Sequence, residues 1–370
     1  MSNTATVLAF DFGASSGRAI RAVYDGQNLT YEEIHRFENI SIEKDGHLCW
    51  DVETLLKEIH TAIQKAGTFD SLGFDTWGVD FGLLDADGHL LANPVHYRDA
   101  RTNGKPEQAA ACMPAEELYA HTGNQIMAIN TLFQLLALQE QEPELLQKAE
   151  QILFMPDLFA ALLGAEPVCE RSIASTSQML DPRTGQWSRE VLAAYGLNAN
   201  RFAPLVASGT VTGTLANGAK IIAVAGHDTQ CASAAMPCAE EDAEHTAFLS
   251  CGTWSLLGTE LDAPILTADS CQSGLSNELG ANGKINYLKN IIGLWLIQES
   301  RREYKRRGQA YSFAELEQQA LAAEPLRSFI DPDAPEFVVP GDLPGRIQEF
   351  CRKTGQPVPE TVGAVMRCIY

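Results

Sequence analysis

Two glycine turns, each between short apolar strands, constrain the fold of this chain more than any other feature. The first lies in Phe10-Asp-Phe-Gly-Ala-Ser-Ser-Gly-Arg18 and the second in Phe248-Leu-Ser-Cys-Gly-Thr-Trp-Ser255. At the first turn, only about half a dozen residues separate the two strands, which is too close for a crossover and predicts a hairpin. The second turn has the same strand–turn–strand pattern. The two halves of the chain therefore open alike. We expect two α/β domains related by a structural duplication that the sequence itself does not show as a repeat.

Length and charge limit the function classes. The chain has 370 residues, enough for two domains with sizeable cores, and 45% of them are hydrophobic, as in ordinary globular proteins. Its formal net charge of −21 disfavours nucleic acid and anionic membranes as partners. A nucleotide such as ATP is not excluded, because backbone N–H groups in a glycine turn hold phosphates in spite of the net charge.

The sequence predicts a cytoplasmic protein without a membrane segment. It contains no run of about 18 apolar residues, and its start, Met-Ser-Asn-Thr-Ala-Thr, lacks the basic region of a signal peptide. The nine cysteines form no C-x-x-C pair and no zinc-like array. Most lie in apolar surroundings, as is typical of reduced buried thiols. A monomer is compatible with these features.

Hydrophobic spacing and turn residues predict the main elements. Asp51 is expected to cap a helix that Gly67 ends. The polar run Cys238–Glu244 predicts a domain boundary, which divides the chain into residues 1–240 and 241–370. The other predicted elements are strands at Val7–Phe10, Gly17–Tyr24, Ser71–Thr76, Val79–Leu84 and Ile221–Gly226, and helices around Leu132–Leu138, Leu288–Arg307 and Val362–Ile369.

The stretch Val224-Ala-Gly-His-Asp-Thr-Gln230 predicts a catalytic carboxylate. Asp228 stands at the end of an apolar strand, where such sheets open into a ligand-binding crevice. A carboxylate there can accept the proton of a hydroxyl group as a bond to phosphorus forms. His227 and Thr229 are candidates to hydrogen-bond a sugar beside it. The alternative is that Asp228 is only a helix N-cap, and capping would not exclude catalysis.

The first glycine turn predicts a phosphate loop. Positive φ angles at Gly13 and Gly17 would let a phosphate approach the backbone, and Ser15 and Ser16 supply donors. Arg18 is a candidate contact for a γ-phosphate, and Asp11 for Mg²⁺, through water. The alternative is a tight hairpin without a ligand. The turn is neither a Walker A loop nor a dinucleotide-binding G-x-G-x-x-G.

Two further groups are candidates for ligand contacts. Thr253 in the second turn would donate to a β- or γ-phosphate, unless that turn is a plain β-turn. The aromatic and polar residues of Trp77–Asp80 and His96–Arg101 are candidates to line a polyol pocket, or are structural.

In this order, these residues carry a resemblance to the FGGY carbohydrate kinases of the actin/hexokinase-like superfamily, and within it most closely to those acting on L-rhamnulose. The similarity runs from about residue 7 to the last residue, through long and specific strings. The strings are 11–18, Glu33–Phe37, Asp75–Phe81, Tyr97–Asp99, Arg101–Gly104, Met155–Asp157, His227–Thr229, Ser250–Leu256 and Leu288–Leu296.

The resemblance implies a fold, an activity and a set of site residues. Each of two domains is expected to be an RNase H-like mixed sheet flanked by helices, with a cleft between them. The implied reaction is ATP-dependent phosphorylation of L-rhamnulose at its 1-hydroxyl, with Mg²⁺ and with Asp228 as general base. Gly78, His227, Asp228 and Thr229 would bind the sugar. The implied ATP contacts are Ala14, Ser15, Ser16, Gly17, Arg18, Thr253, Asn290 and Gln298. Cys351 and Cys368 match a pair that can form a disulfide in the family, although a reducing cytoplasm disfavours the bond.

The resemblance also predicts that the second domain is incomplete. The family continues beyond the point that corresponds to Tyr370, through a glycine-rich strand–turn–helix that holds adenosine. We therefore expect a complete sugar domain, a partial nucleotide domain and weak phosphorylation by this chain alone. The alternatives are another ketose kinase of the family, acting on fuculose or xylulose, a non-catalytic sugar sensor on the same fold, and an actin-like nucleotide-binding scaffold.

Overall fold

The computed structural model describes residues 4–239, 242, 245–338 and 340–370. The expected domain boundary between residues 240 and 241 falls outside these residues. In chain order, the strands are β1 (Ala5–Phe12), β2 (Ser16–Tyr24), β3 (Leu29–Glu38), β4 (Ser41–Lys44), β5 (His47–Trp50), β6 (Ser71–Thr76), β7 (Phe81–Leu84), β8 (Gln151–Phe154), β9 (Cys169–Glu170), β10 (Leu180–Asp181), β11 (Gln186–Trp187), β12 (Leu205–Val206), β13 (Thr210–Thr214), β14 (Lys220–Ala223), β15 (Phe248–Cys251), β16 (Trp254–Leu261), β17 (Leu275–Leu279) and β18 (Ile285–Ile292).

The α-helices, in the same order, are α1 (Val52–Ala66), α2 (Lys105–Ala109), α3 (Ala115–Thr122), α4 (Thr131–Gln141), α5 (Pro143–Lys148), α6 (Met155–Leu162), α7 (Arg171–Ala174), α8 (Arg189–Ala194), α9 (Asp228–Ala234), α10 (Ala268–Gln272), α11 (Trp295–Arg306), α12 (Phe313–Ala322), α13 (Leu343–Lys353) and α14 (Val362–Ile369). None of the described helices is long and apolar enough to cross a bilayer.

A six-stranded mixed sheet with the order β13-β14-β6-β1-β2-β3 confirms the α/β fold class. β1 and β2 pair antiparallel across the first glycine turn, so the predicted hairpin is confirmed. β6 runs parallel to β1 on one side and to β14 on the other. Three parallel strands therefore end at the same edge of the sheet, which is where functional residues of such folds gather.

One face of this sheet is filled with aromatic side chains. Leu8, Phe10 and Phe12 alternate along β1 and are fully buried. Phe10 stacks on Phe74 of β6 with ring centroids 4.8 Å apart, and Phe12 stacks on Phe159 of α6 at 4.9 Å. Because side chains alternate across a strand, Asp11 leaves the opposite face.

Helix α1 follows the predicted signals. It begins after Asp51, whose side chain accepts a hydrogen bond from the backbone N–H of Thr54, and Gly67 ends it with a positive φ of 67°. The apolar residues at helical spacing, Val52, Leu55 and Ile59, are buried in the same core as the sheet. Both the helix and its cap are confirmed.

The expected long helix over Leu288–Arg307 is wrong in its first part. Residues 285–292 form β18, which pairs antiparallel with β17 in a sheet of order β15-β16-β18-β17. Gly293 separates it from α11, which begins at Trp295. The apolar positions of 288–296 fit a helical period, but β-branched Ile291 and Ile292 and an available partner strand favour the extended form.

The chain divides into two compact units. The first consists of Met1–Phe248 together with Gly258–Lys289, and the second of Leu249–Leu257 together with Asn290–Tyr370. In the second unit, Trp295, Leu316, Phe337, Ile347 and Met366 share one buried apolar core. Cys351 and Cys368 lie in this core with their Sγ atoms 3.9 Å apart and are not bridged.

Candidate active site

The ends of β1, β6 and β14 are joined by backbone hydrogen bonds in the first unit. Trp77 N–H donates to the carbonyl of Phe12 at 3.2 Å, and Thr76 N–H donates to the carbonyl of Gly226 at 2.9 Å. Thr76 also forms a parallel bridge with His227. This arrangement brings the residues after β14 to the turn that follows β6, so the sequence-predicted Gly78, His227, Asp228 and Thr229 meet at one edge of the sheet.

Asp228 is the first residue of α9, and His227 occupies the N-cap position. The alternative that Asp228 is an N-cap is therefore wrong by one residue. Its Oδ1 accepts hydrogen bonds from the Thr229 N–H at 2.6 Å and from the Thr229 hydroxyl at 3.3 Å. The Asp228 side chain keeps 37% of its surface exposed, so a substrate hydroxyl can reach it.

His227 connects Asp228 to a buried glutamate. Its Nε2 lies 3.5 Å from Asp228 Oδ1, and its Nδ1 lies 2.9 Å from Glu278 Oε2. Burial alone would lower the pKa of His227, but the Glu278 carboxylate, then Asp228 and Asp75, outweigh burial and raise the pKa to about 9. Burial raises the pKa of Asp228, while the His227 imidazolium opposes that rise.

The loop before His227 is held by groups that the sequence did not indicate. The Gly226 N–H donates to Glu170 Oε2 at 3.0 Å, and the same oxygen accepts from the Ser172 N–H at 2.9 Å. A Cβ on Gly226 would lie 2.9 Å from Pro156 Cγ and 3.1 Å from Ile173 Cβ, which is closer than carbon atoms pack. Gly226 is therefore required by close packing against α6 and α7.

Gly78 is followed by a strained residue. Val79 has a φ of 66°, and a β-branched residue rarely adopts this left-handed conformation. Its N–H donates to Thr176 Oγ1 at 3.1 Å, and its carbonyl accepts from the Thr131 hydroxyl at 2.6 Å. A Cβ on Gly78 would lie 3.4 Å from His227 Nε2. The two threonines thus hold the strained backbone that sets Gly78 beside the histidine.

Two further acidic residues lie on neighbouring strands of the six-stranded sheet. Asp11 and Asp75 are register partners in β1 and β6, so their side chains leave the same face. Arg18 Nη2 binds Asp11 Oδ2 at 2.6 Å and its Nε binds the same oxygen at 2.8 Å, which places the guanidinium on Asp11. Burial, then the Asp11 and Asp228 carboxylates, raise the pKa of Asp75 well above its usual range.

The first glycine turn is built differently from the prediction. Neither Gly13 nor Gly17 has a positive φ. Gly17 is glycine because a Cβ would collide with the Phe37 ring, a packing reason. The turn carbonyls are held instead: Gly13 accepts from Asn39 Nδ2 at 3.0 Å, and the carbonyl of Ser15 from the Asn39 N–H at 3.1 Å. Ala14 lies in the same turn.

Thr253, Asn290 and Gln298 belong to the second unit. The carbonyls of Gly252 and Thr253 accept the backbone N–H groups of Leu294 and Trp295 at 3.0 and 3.2 Å. The second glycine turn is therefore bonded to the start of α11, the helix that carries Gln298. Asn290 lies in β18.

One residue from each aromatic string, Trp77 and Tyr97, donates a hydrogen bond to a buried carboxylate, Asp80. Asp80 is fully buried. Its Oδ2 accepts from Trp50 Nε1 at 2.6 Å, Trp77 Nε1 at 3.0 Å and the Tyr97 N–H at 3.2 Å. The structural alternative for Asp80 is confirmed.

The sequence matches two family domains. The N-terminal domain of the FGGY family of carbohydrate kinases matches over residues 6–234, and its C-terminal domain over 247–370. The chain belongs to the FGGY family of carbohydrate kinases.

Curated members of the FGGY family are similar over almost the whole chain. A rhamnulokinase of Bacteroides thetaiotaomicron is 41% identical over 98% of this chain and 76% of its own length. A rhamnulokinase of Bacillus subtilis is 37% identical over 98% and 76%.

Solved FGGY structures share the fold. A gluconate kinase from Lactobacillus acidophilus superposes with a TM-score of 0.70 at 16% identity, covering 87% of this chain and 66% of its own. A xylulose kinase from the same species has a TM-score of 0.68 at 16% identity, covering 86% and 66%. This chain thus spans 66% of the length of these two solved chains.

For an FGGY kinase, the described residues offer a suitable metal environment. Carboxylate oxygens are the ligands that Mg²⁺ prefers, usually with several waters retained. Asp11 and Asp75 present two carboxylates on one face, and Asp11 has a second oxygen besides the one bound by Arg18. The donor chemistry fits Mg²⁺. The close cluster Asp85, Asp87 and His89 belongs to an exposed turn, where Asp85 Oδ1 accepts two backbone N–H groups.

Proposed function

We propose that this FGGY kinase transfers the γ-phosphoryl group of ATP to the 1-hydroxyl of L-rhamnulose, giving L-rhamnulose 1-phosphate and ADP. The observation that carries the reaction type is the reachable Asp228 carboxylate at the start of α9, the helix that follows β14, with His227 Nε2 3.5 Å away. The ketose is inferred from the relatives, which are named rhamnulokinases and are 37–41% identical over nearly the whole chain.

Asp228 is the general base in this proposal. The 1-hydroxyl oxygen attacks the γ-phosphorus, its proton passes to an Asp228 carboxylate oxygen, and the bond between that phosphorus and the β–γ bridging oxygen breaks. The raised pKa of Asp228 suits this role, because a base works best when its pKa approaches the operating pH. Gly78, His227 and Thr229 are proposed to orient the sugar.

The nucleotide contacts are proposed at both glycine turns. Ala14, Ser15, Ser16, Gly17 and Arg18 would bind phosphates on the first unit. Thr253, Asn290 and Gln298 are proposed to contact ATP from the second unit. Asp11 is the proposed Mg²⁺ ligand, through water, and a bound Mg²⁺ would neutralise charge on the phosphates.

The domain division and the location also remain proposals. We assign the sugar domain to residues 1–240 and the nucleotide domain to 241–370. A cytoplasmic location agrees with the use of ATP and with nine cysteines, all described and all unbridged. The net charge of −21 argues against nucleic acid as a partner.

A coupled assay of ADP formation tests the reaction. We expect turnover with L-rhamnulose, weak for these 370 residues alone, and still weaker turnover with L-fuculose and D-xylulose. Asp228→Asn should lower kcat by roughly 10²–10⁴-fold while sugar binding, measured by calorimetry, changes little. The exposed Asp87→Asn is the matched control and should keep wild-type kinetics. Wild-type-like turnover by Asp228→Asn would refute the base assignment, and a preference for another ketose would refute the substrate.

A further inference from the structure

The buried carboxylate of Glu278 lies behind the proposed base. It stands on β17, is 4% exposed, and reaches His227 from the side of the ring opposite Asp228. Its Oε2 lies 2.9 Å from His227 Nδ1 and accepts a hydrogen bond from Gln230 Nε2 at 2.7 Å. The three side chains Asp228, His227 and Glu278 therefore form a continuous line from the substrate edge into the core.

We propose that Glu278 is a positioning residue that holds His227 as a cation, so that the Nε2–H of the histidine faces the Asp228 carboxylate. This inference rests on the proposed role of Asp228 as general base. Glu278 itself touches neither the sugar nor the nucleotide in this proposal, and it acts only through the histidine.

The hydrogen-bond geometry fixes the proton positions on His227. A carboxylate on Nδ1 can only accept, so Nδ1 must carry a proton. Nε2 faces a second carboxylate oxygen at 3.5 Å, and a bare nitrogen lone pair there would repel it. When both nitrogens are protonated, each points an N–H at a carboxylate. In either neutral tautomer, one nitrogen lone pair points at a carboxylate oxygen instead, which is unfavourable.

The amide chain behind Glu278 keeps its carboxylate in place. Gln230 uses its NH₂ group on Glu278, and its carbonyl oxygen accepts from Asn286 Nδ2. Asn286 Nδ2 also donates to Ser233 Oγ at 2.9 Å. Gln230 is an uncharged donor to Glu278, whereas His227 is a cation that Glu278 contacts.

The charges around His227 and Asp228 determine the sign of the effect. His227 contacts Glu278 from β17 and Asp228 from α9, and the charge of Asp75 on β6 also acts on it; all three are acidic. Asp228 faces His227 and also Asp11 from β1, and Asp11 is itself paired with Arg18. Without the charge of Glu278, burial would favour neutral His227, and Asp228 would lose its adjacent cation.

The test measures Glu278→Gln, which keeps the size and an acceptor oxygen but removes the charge. Histidine ¹³C NMR, with the His227 signal identified by its loss in His227→Gln, should show wild-type His227 titrating near pH 9. In Glu278→Gln the midpoint should fall by about 2 units or more. Between the lowered midpoint and pH 9, His227 is neutral in the variant but charged in the wild type, so kcat/KM for L-rhamnulose should fall below the wild-type value in this range and approach it at lower pH.

Gln230→Met is the matched control. It removes a neutral donor to the same carboxylate but keeps the charge, so the His227 midpoint should stay high and kcat/KM should not fall early on the alkaline side. A wild-type His227 that titrates below pH 7 would overturn the proposal, whatever the variants do. An unmoved midpoint in Glu278→Gln would also overturn it. If the wild type does not phosphorylate L-rhamnulose, the proposed function fails, while the NMR titration still tests the role of Glu278.

Discussion

Replacement of Gly226 by alanine tests whether close packing before His227 positions the catalytic loop. The added Cβ would lie 2.9 Å from Pro156 Cγ and 3.1 Å from Ile173 Cβ and Cγ2. Ordinary carbon contacts are about 3.5–4.0 Å, so one side must move by roughly 0.6 Å. Pro156 has a rigid ring at the start of α6, and Ile173 is fully buried. We therefore expect the loop that carries His227 and Asp228 to move.

The expected result for Gly226→Ala has two parts. Overpacking should lower the free energy of unfolding by about 1–3 kcal/mol, measured by urea denaturation. Displacement of Asp228, the proposed base, should lower kcat/KM for L-rhamnulose by roughly 10- to 100-fold, because small misplacements at reacting groups are costly.

Gly213→Ala is the matched control for Gly226→Ala. Its Cβ would lie 2.9 Å from Ala165 Cα, an equally close contact, on the edge strand β13. It should lose similar stability and keep wild-type kcat/KM. If both variants keep wild-type kcat/KM, or if both lose it equally, the positioning argument for Gly226 is refuted.

Two further predictions concern groups that support the site. In Asp80→Asn, the three N–H groups that donate to Asp80 Oδ2 would meet either an amide NH₂ group or an amide oxygen, which is a weaker acceptor than a carboxylate. We therefore expect the free energy of unfolding, measured by urea denaturation at pH 7, to fall by about 1–3 kcal/mol. Burial raises the pKa of Asp80 from 3.8 to about 6, so its protonation stabilises the fold below about pH 4 and this contribution is lost as the pH rises through 6. The variant should lack that pH dependence, and an unchanged stability–pH curve would contradict the assignment. Thr176→Val removes the acceptor of the strained Val79 N–H, so KM for the sugar should rise about tenfold with a smaller change in kcat. Thr61→Val on the exposed side of α1 is its control, and equal KM values for the two variants would contradict the role of Thr176.

Local signals in the sequence were sufficient for the elements that frame the site. The first hairpin, α1 with its Asp51 cap and β6 follow from spacing and turn residues within a few positions. The convergence of Gly78 with His227 follows from the rule that parallel strands end at one edge. The helix predicted over Leu288–Arg307 is wrong in its first part because the apolar residues at 288–296 fit the period of a helix as well as that of a strand. Pairing with β17 decides for the strand, and the pattern of 288–296 itself does not reveal that pairing.

The residues behind the site could not be predicted for the same reason. Glu278 lies 51 positions from His227 and Glu170 lies 56 positions from Gly226, with no local pattern that joins them. Asp80 belongs to the string Trp77–Asp80, but its burial depends on Trp50 and Gln134, which come from other elements. The strain at Val79 is likewise set by threonines 52 and 97 positions away.

The discontinuity of the first unit has a consequence for synthesis on the ribosome. Most of the unit is translated by Phe248, but Gly258–Lys289, which includes Glu278, comes later. At about 5–20 residues per second, the 30 residues from Phe248 to Glu278 take roughly 1.5–6 seconds to make. During that interval the nascent sheet would hold His227 beside Asp228 without its second carboxylate. The proposed active site is therefore completed late in synthesis, after the six-stranded sheet has been translated.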